Sequence, residues 1–328
     1  MIGYYVHHHG LGHRTRAVQI ARQLPGTVVG FGSLPAPADW PGSWCELPSD
    51  LCESPVDPTA NGVLHWAPLD HRGHRRRLAV LADRLATDVE TMVVDTSAEV
   101  ALLARLFGVR TVVLAMRGDR TDRPHRAAYD AATRIVAPWA PLPDGEPGWP
   151  ASWTAKTDFV GALSRFDGSP TPPERPHIGP RRVLLVWGAG GRDVSDADIR
   201  AAQAATPAWE WTVRSPEAPS PDLWEDFAMH DVVVTHGGAN AVAEVAAAAR
   251  PAIVIGQDRP FGEQHATVHA LRELACCCAL DHWPTPGSWA SLLERAQKVG
   301  GSGWSRWSPG DAASRAAAAI ERTRESSA

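Results

Sequence analysis

The feature that most constrains this chain is a recurring unit: a short apolar strand, a glycine-rich turn, then a helix. Tyr4-Tyr5-Val6 leads into His9-Gly10-Leu11-Gly12-His13-Arg14, and residues 15–24 read as a helix. Val28-Val29-Gly30-Phe31 and Met92-Val93-Val94-Asp95 read as further strands; a helix over 98–107 and the strand Thr111-Val112-Val113-Leu114 follow. The pattern restarts at Arg182-Val183-Leu184-Leu185-Val186-Trp187, where Gly188, Gly190 and Gly191 precede a helix from about Ser195. Its later strands are Asp231-Val232-Val233-Val234-Thr235 and Ala252-Ile253-Val254-Ile255. Such alternation implies parallel strands joined by crossover helices.

Two such series in 328 residues exceed one ordinary core. The expectation is an α/β chain of two Rossmann-like domains with mostly parallel sheets, the first over 1–163 and the second over 181–328. The last helix could pack back on the first domain. Residues 164–180 are expected to link the two, since 168–180 hold five prolines and little apolar content. Residues 36–70, rich in Pro, Gly and Trp, read as irregular. Ligands in such sheets bind at the carboxyl ends of strands, so a cleft between the domains is the expected site.

Composition narrows the function classes. With 44% apolar and 21% charged residues the chain is globular. A net charge of -5 gives no basic excess for a nucleic-acid partner, and only a local patch could support peripheral membrane contact. The amino terminus lacks the basic start and apolar stretch of a signal peptide, and no apolar run suffices to span a bilayer. Five cysteines, three of them adjacent at Cys276, Cys277 and Cys278, form neither a disulfide framework nor a CxxC pair. A cytoplasmic location is expected.

The richest stretch is Thr235-His236-Gly237-Gly238-Ala239-Asn240-Ala241-Val242-Ala243-Glu244, then Pro251, then Phe261-Gly262-Glu263-Gln264. A strand ends at Thr235, two glycines open the turn, and a helix follows. Its unpaired N–H groups and positive dipole end suit a diphosphate. Glu244, about a turn and a half in, could accept both hydroxyls of a ribose. Glu263 and Gln264 follow the next strand and could bond sugar hydroxyls. Residue by residue the alternative is a tight turn with an exposed Glu and a polar loop; the ordered set favours a ligand.

Residues 232–271 resemble the donor-binding signature of GT-B glycosyltransferases. The resemblance is to the group of the N-acetylglucosaminyltransferase of peptidoglycan lipid-intermediate synthesis and of macrolide-type transferases. It implies that His236, Gly237 and Gly238 meet the donor diphosphate, that Glu244 binds the ribose, and that Glu263 with Gln264 binds the donor sugar; Asn240 is counted with the donor-binding residues. Gly188, Gly190 and Gly191 resemble the second glycine loop beside the donor phosphates. The stretch 211–227 departs from the family pattern for holding the base, so uracil is an expectation and not a reading.

On the acceptor side, Gly10 and Gly12 let the backbone turn sharply. His13, where the first helix begins, can take a proton near neutral pH; as alternatives, it simply packs or caps. His7, His8 and His9 could suggest a metal. Successive side chains diverge, however, and no carboxylate at ligand spacing accompanies them. No metal or cofactor is expected; the helix dipole and glycine loops would stabilise the departing diphosphate. Asp95-Thr96-Ser97-Ala98-Glu99 follows a strand; Thr96 or Ser97 reads as an N-cap, while Asp95 and Glu99 could face the acceptor. Arg117, Arg120, Arg123 and Arg126 follow another strand. Arg123 and Arg126 read as a solvated loop, and Arg117 or Arg120 as a grip on an anionic acceptor. The cluster at 71–77 reads as a solvated helix start. Trp40, Trp44 and Trp66 could line a broad acceptor groove.

The chain thus reads as a transferase moving a sugar from a nucleotide-sugar, UDP-linked by expectation, to an acceptor hydroxyl with inversion and without metal. His13 is the first candidate base and Asp95 the second. The acceptor could be a glycan, a lipid-linked or a small molecule. The rival readings are a nucleotide-sugar hydrolase of the same architecture and a non-catalytic nucleotide-sugar-binding relative.

Overall fold

The computed structural model describes residues 1–7, 11–172, 179–188 and 190–325. The chain divides into two compact units, residues 1–160 with 312–328, and residues 161–311.

The first unit runs β1 (Ile2–Val6), α1 (Leu11–Ala21), β2 (Val28–Gly32), β3 (Ser43–Glu46), α2 (Arg72–Thr87), β4 (Thr91–Asp95), α3 (Ala98–Leu106), β5 (Arg110–Leu114), α4 (Arg123–Ala131), β6 (Arg134–Ala137), α5 (Ala151–Thr154) and β7 (Thr157–Phe159). Its seven strands are parallel, in the order β3-β2-β1-β4-β5-β6-β7. The strand order reverses between β1 and β4, whose register pairs Val6 with Asp95. Neighbouring crossovers leave to opposite faces there and open a crevice at the strand ends. The central strands are buried along their length, as their continuous Val, Ile, Met and Tyr runs require.

The second unit runs β8 (Arg181–Val186), α6 (Asp196–Ala204), β9 (Trp209–Arg214), α7 (Leu223–Met229), β10 (Val232–His236), α8 (Ala239–Ala247), β11 (Ala252–Ile255), α9 (Glu263–Glu273), β12 (Cys278–Leu280) and α10 (Trp289–Val299). Its parallel sheet has the order β12-β11-β10-β8-β9, with its reversal between β8 and β10. Val183, Leu185, Val232, Val234, Ile253 and Ile255 form its core with Trp187, Trp209 and Trp289.

The closing helix α11 (Ala312–Glu325) belongs to the first unit. Arg322 pairs with Asp158 at 2.8 Å, Arg315 donates to the Phe159 carbonyl, and Ser314 to Gln23. Its alanine-rich face, with Ala316, Ala319 and Ile320 buried, lies against the sheet.

Several readings of the sequence are corrected here. Residues 36–70 are irregular except for β3, a short edge strand. Trp40 and Trp44 pack on β2 and are not among the residues that line the cavity of this unit. Both indoles press on Gly30, whose missing Cβ would sit 2.2 Å from Trp44 Cε3, and their rings meet at 5.1 Å. Arg77 is not solvated either: it is 2% exposed, donates to Tyr5 Oη at 2.6 Å, and faces Asp50 at 3.7 Å. The periodicity of α2 turns Arg77 inward with Leu81 and Leu85.

Candidate functional site

The reversal point of the first sheet gathers three polar side chains. Asp95 ends β4 and is fully buried. His13, in the first turn of α1, has its Nδ1 2.8 Å from Asp95 Oδ1, and Arg16, one turn on, donates from Nε to Asp95 Oδ2 at 3.0 Å. Arg16 Nη2 lies beside both Asp95 Oδ1 and His13 Nδ1. Burial alone would raise the Asp95 pKa, but Arg16 and His13 hold the carboxyl far below the usual carboxylate range. In the tautomer that carries its proton on Nδ1, His13 donates to ionised Asp95 and keeps Nε2 free to accept a proton. Fully buried and held as a carboxylate between His13 and Arg16, Asp95 has the geometry of a partner to these two side chains. Arg16 carried no recognisable motif, since only the approach of α1 to β4 makes it a partner. The turn after Asp95 is strained. Thr96, β-branched, takes φ +65° and donates from Oγ1 to Asp95 Oδ1 at 3.1 Å.

A cavity of about 300 Å³ opens beside this group. Thr96 and His7 line it, and the His7 ring lies 6.1 Å from that of His13. Leu51, Trp66, Val100 and Tyr129 make much of the remaining wall apolar or aromatic. Glu99 also lines it, yet its Oε1 accepts the N–H of His65 at 2.7 Å and of Trp66 at 3.2 Å, while Ser97 donates to Oε2. Glu99 fastens the irregular segment over the cavity, and Ser97 caps α3 as read.

The two arginines expected to grip an anion serve the packing instead. Arg117 is 8% exposed, lies over the Trp139 ring and pairs with Glu146 at 3.2 Å. Arg120 is 3% exposed and donates to the carbonyls of Arg117 and Met116. Of the expected glycines, Gly12 lies within α1, whereas Gly10 falls outside the described residues.

The reversal point of the second sheet brings its glycine-rich turns together. A Cβ on Gly188, after β8, would lie 3.5 Å from His236 Nε2 at the end of β10. Gly238 caps α8 without a side-chain bond and donates its N–H to His236 Nδ1 at 3.0 Å. A Cβ on Gly237 would meet the Gln264 carbonyl at 2.8 Å, so glycine lets this turn sit against the start of α9. Gln264 is 4% exposed there; Glu263 opens α9 and Asn240 lies exposed in the first turn of α8. Arg259, which the sequence reading passed over, donates to the Gly191 carbonyl and pairs with Asp193 at 3.0 Å. It thereby fixes the glycine loop that also holds Gly190. Glu244 is not an exposed carboxylate: Arg165 Nε meets its Oε1 at 2.8 Å. Burial raises its pKa, and Arg165 opposes the rise.

Burial, then Arg259, pushes the His236 pKa down to about 4 from its usual value near 6.5. His236 is thus neutral in the fold and takes a proton more readily once unfolded. Its contribution is present above pH ~6.5 and is lost as pH falls toward 4. Urea unfolding should therefore show roughly 2–3 kcal/mol less stability from this group at pH 4.5 than at pH 7. His236→Gln should flatten that part of the profile, and an unchanged profile would remove His236 as its source.

The sequence also holds one Asp-x-Asp, Asp196-Ala197-Asp198, a spacing that can hold a divalent ion. Here Asp198 forms a capping box with Ser195, and Asp196 pairs with Arg192. Neither carboxylate is arranged as a metal ligand. No helix among the described residues is long and apolar enough to cross a membrane.

Residues 220–286 match the model of the glycosyltransferase family 28 C-terminal domain. This span covers β10, α8, β11 and α9 with their turns. The match and the fold identify a glycosyltransferase. Three nearly full-length structural likenesses carry the GT-B architecture across both units. The glycotransferase of kitacinnamycin superposes with a TM-score of 0.66 at 16% identity, covering 98% of each chain. MurG of Acinetobacter baumannii gives 0.63 at 13%, covering 98% of this chain and 99% of its own. Glycosyltransferase SsfS6 of Streptomyces sp. SF2575, complexed with thymidine diphosphate, gives 0.55 at 14%, covering 98% of this chain and 95% of its own. No curated protein sequence matches closely enough to carry a comparison.

Proposed function

We propose that this glycosyltransferase takes a pyrimidine nucleoside-diphosphate sugar as donor and passes the sugar, with inversion, to a hydroxyl of an acceptor seated in the cavity of the first unit. The observation that carries the reading is the His13–Asp95 pair beside that cavity. The Nε2 of His13 removes the proton from the acceptor hydroxyl, whose oxygen attacks the anomeric carbon; the bond to the diphosphate breaks and the diphosphate leaves. Ionised Asp95 stabilises the imidazolium that forms.

The diphosphate is held in the second unit by the N-terminus of α8, which has no side-chain cap, the loop of Gly188, Gly190 and Gly191, and the nearby Arg259. Glu244 takes the ribose hydroxyls, and Glu263 and Gln264 the sugar. Glu244→Ala should weaken nucleotide-sugar binding by about 1.5–3 kcal/mol, the worth of hydrogen bonds to a charged group. Unchanged affinity by calorimetry in the folded variant would remove Glu244 from the site. Donor binding should also persist in excess EDTA, because helix dipole and arginine replace a metal. Its loss on chelation, with recovery on adding magnesium, would overturn that account.

Uridine and thymidine diphosphate sugars are both to be tried: the sequence resemblance favours the first, and the thymidine diphosphate complex of SsfS6 the second. The deciding assay follows diphosphate release with and without glycan, lipid-linked and small aromatic acceptors. Slow release alone and fast release with one acceptor class is expected. Rapid hydrolysis that no acceptor changes would make the protein a nucleotide-sugar hydrolase.

A further inference from the structure

The wall of the first unit's cavity carries a second cluster of chemistry-bearing groups that sugar transfer does not use. His65, on the irregular segment, places Nε2 3.3 Å from Asp122 Oδ1. Asp122, the N-cap of α4, places Oδ2 2.7 Å from Nδ1 of His125 in the first turn of that helix. One ligand atom from each of the three lies within 4.8 Å of the others, and the two imidazoles touch edge to face at 4.4 Å.

We propose that His65, Asp122 and His125 bind one divalent transition-metal ion of the zinc type. Two imidazole nitrogens and one carboxylate oxygen suit a borderline cation better than magnesium or calcium, which prefer all-oxygen shells. The ligands are held in place beforehand. Glu99 accepts the backbone N–H groups of His65 and Trp66, which fixes the segment bearing the first imidazole. Asp122 Oδ1 caps α4 through the His125 N–H, so the same carboxylate binds the helix start and presents Oδ2 toward the ring. The guanidinium of Arg120 approaches His125 at 3.5 Å, but at Nε2, the ring nitrogen away from Asp122. The Asp122 charge offsets both that cation and the positive end of α4.

Three protein ligands leave a fourth position, and because both histidines line the cavity, that position opens into it. The ion would clip the irregular segment to α4 and offer its open position to an oxygen or nitrogen of a cavity ligand. Metal binding stands without the transferase reading; that this ligand is the acceptor rests on it.

The test uses full-length protein carrying no histidine tag, stripped with EDTA and titrated with zinc by calorimetry. One equivalent per chain is expected. His65→Ala with His125→Ala should weaken binding at least tenfold, the lower end of what losing even an outer-shell partner costs. Asp122→Asn, which keeps the helix cap, should weaken it too and covers the case in which the double variant fails to fold. Cobalt in place of zinc supplies a visible spectrum, which added azide should shift through the open position. No stoichiometric uptake, or equal uptake by folded variants, would overturn the site; a cobalt spectrum indifferent to azide would overturn its opening to the cavity. Donor binding measured on the same samples reports on the transferase site alone, so the two readings fail separately.

Discussion

His13→Ala is expected to cut the acceptor-stimulated release of nucleoside diphosphate by roughly 10²–10⁴, the range of a positioned general base. The residue is held for this work. Asp95 fixes Nδ1 at 2.8 Å, and the ring is only 15% exposed, so few orientations other than the productive one are open to it. The side chain lies outside the residues assigned to the donor, so nucleotide-sugar affinity should stay within a few-fold of the parent protein. A fall confined to the acceptor-dependent rate would separate base catalysis from donor capture. A variant that keeps its full rate with the best acceptor would move the base elsewhere.

Asp95→Ala should do more damage to the fold than any other change at this site. Asp95 is fully buried between β1 and β5, and Arg16, 9% exposed, donates to it from both Nε and Nη2. Removing the carboxylate leaves a buried guanidinium without its counter-charge, which typically costs 3–5 kcal/mol. Asp95→Leu combined with Arg16→Met removes both charges and should lose clearly less stability than Asp95→Ala alone, although both proteins should be inactive. Asp95→Asn separates the two roles. It keeps the volume but no longer enforces the Nδ1–H tautomer, and the rate should fall by as much as ~10⁴, the cost of that change in a comparable carboxylate–imidazole pair. Denaturant midpoints and rates on these three variants and the parent protein test this. A double variant no more stable than Asp95→Ala would argue against a buried ion pair as the cause.

The local pattern in the sequence was enough to determine the parallel α/β character and both glycine-led turns, and its resemblance to glycosyltransferases over 232–271 overlaps the family match at 220–286. Strand, turn and helix signals sit within ten residues of one another, and the backbone needs of a turn select glycine at Gly237 and Gly238 whatever surrounds them. The pattern also marked His13 and Asp95, since each follows a strand end. What each does depends on pairing across 82 residues, set by the β1–β4 register and the approach of α1. That approach brings in Arg16 and makes Asp95 the buried partner of both His13 and Arg16.

The same limit explains the arginines. Arg117, Arg120 and Arg77 look alike in sequence to solvated or ligand-gripping cations. Their burial depends on Trp139, Glu146, Tyr5 and Asp50, which come from distant segments. Glu244 could be placed on its helix from spacing alone, but not against Arg165, which lies 79 residues earlier in a stretch read as linker. Local periodicity records which face of an element is apolar. Charge partners are chosen by packing, and these pairs arise only when the sheets assemble.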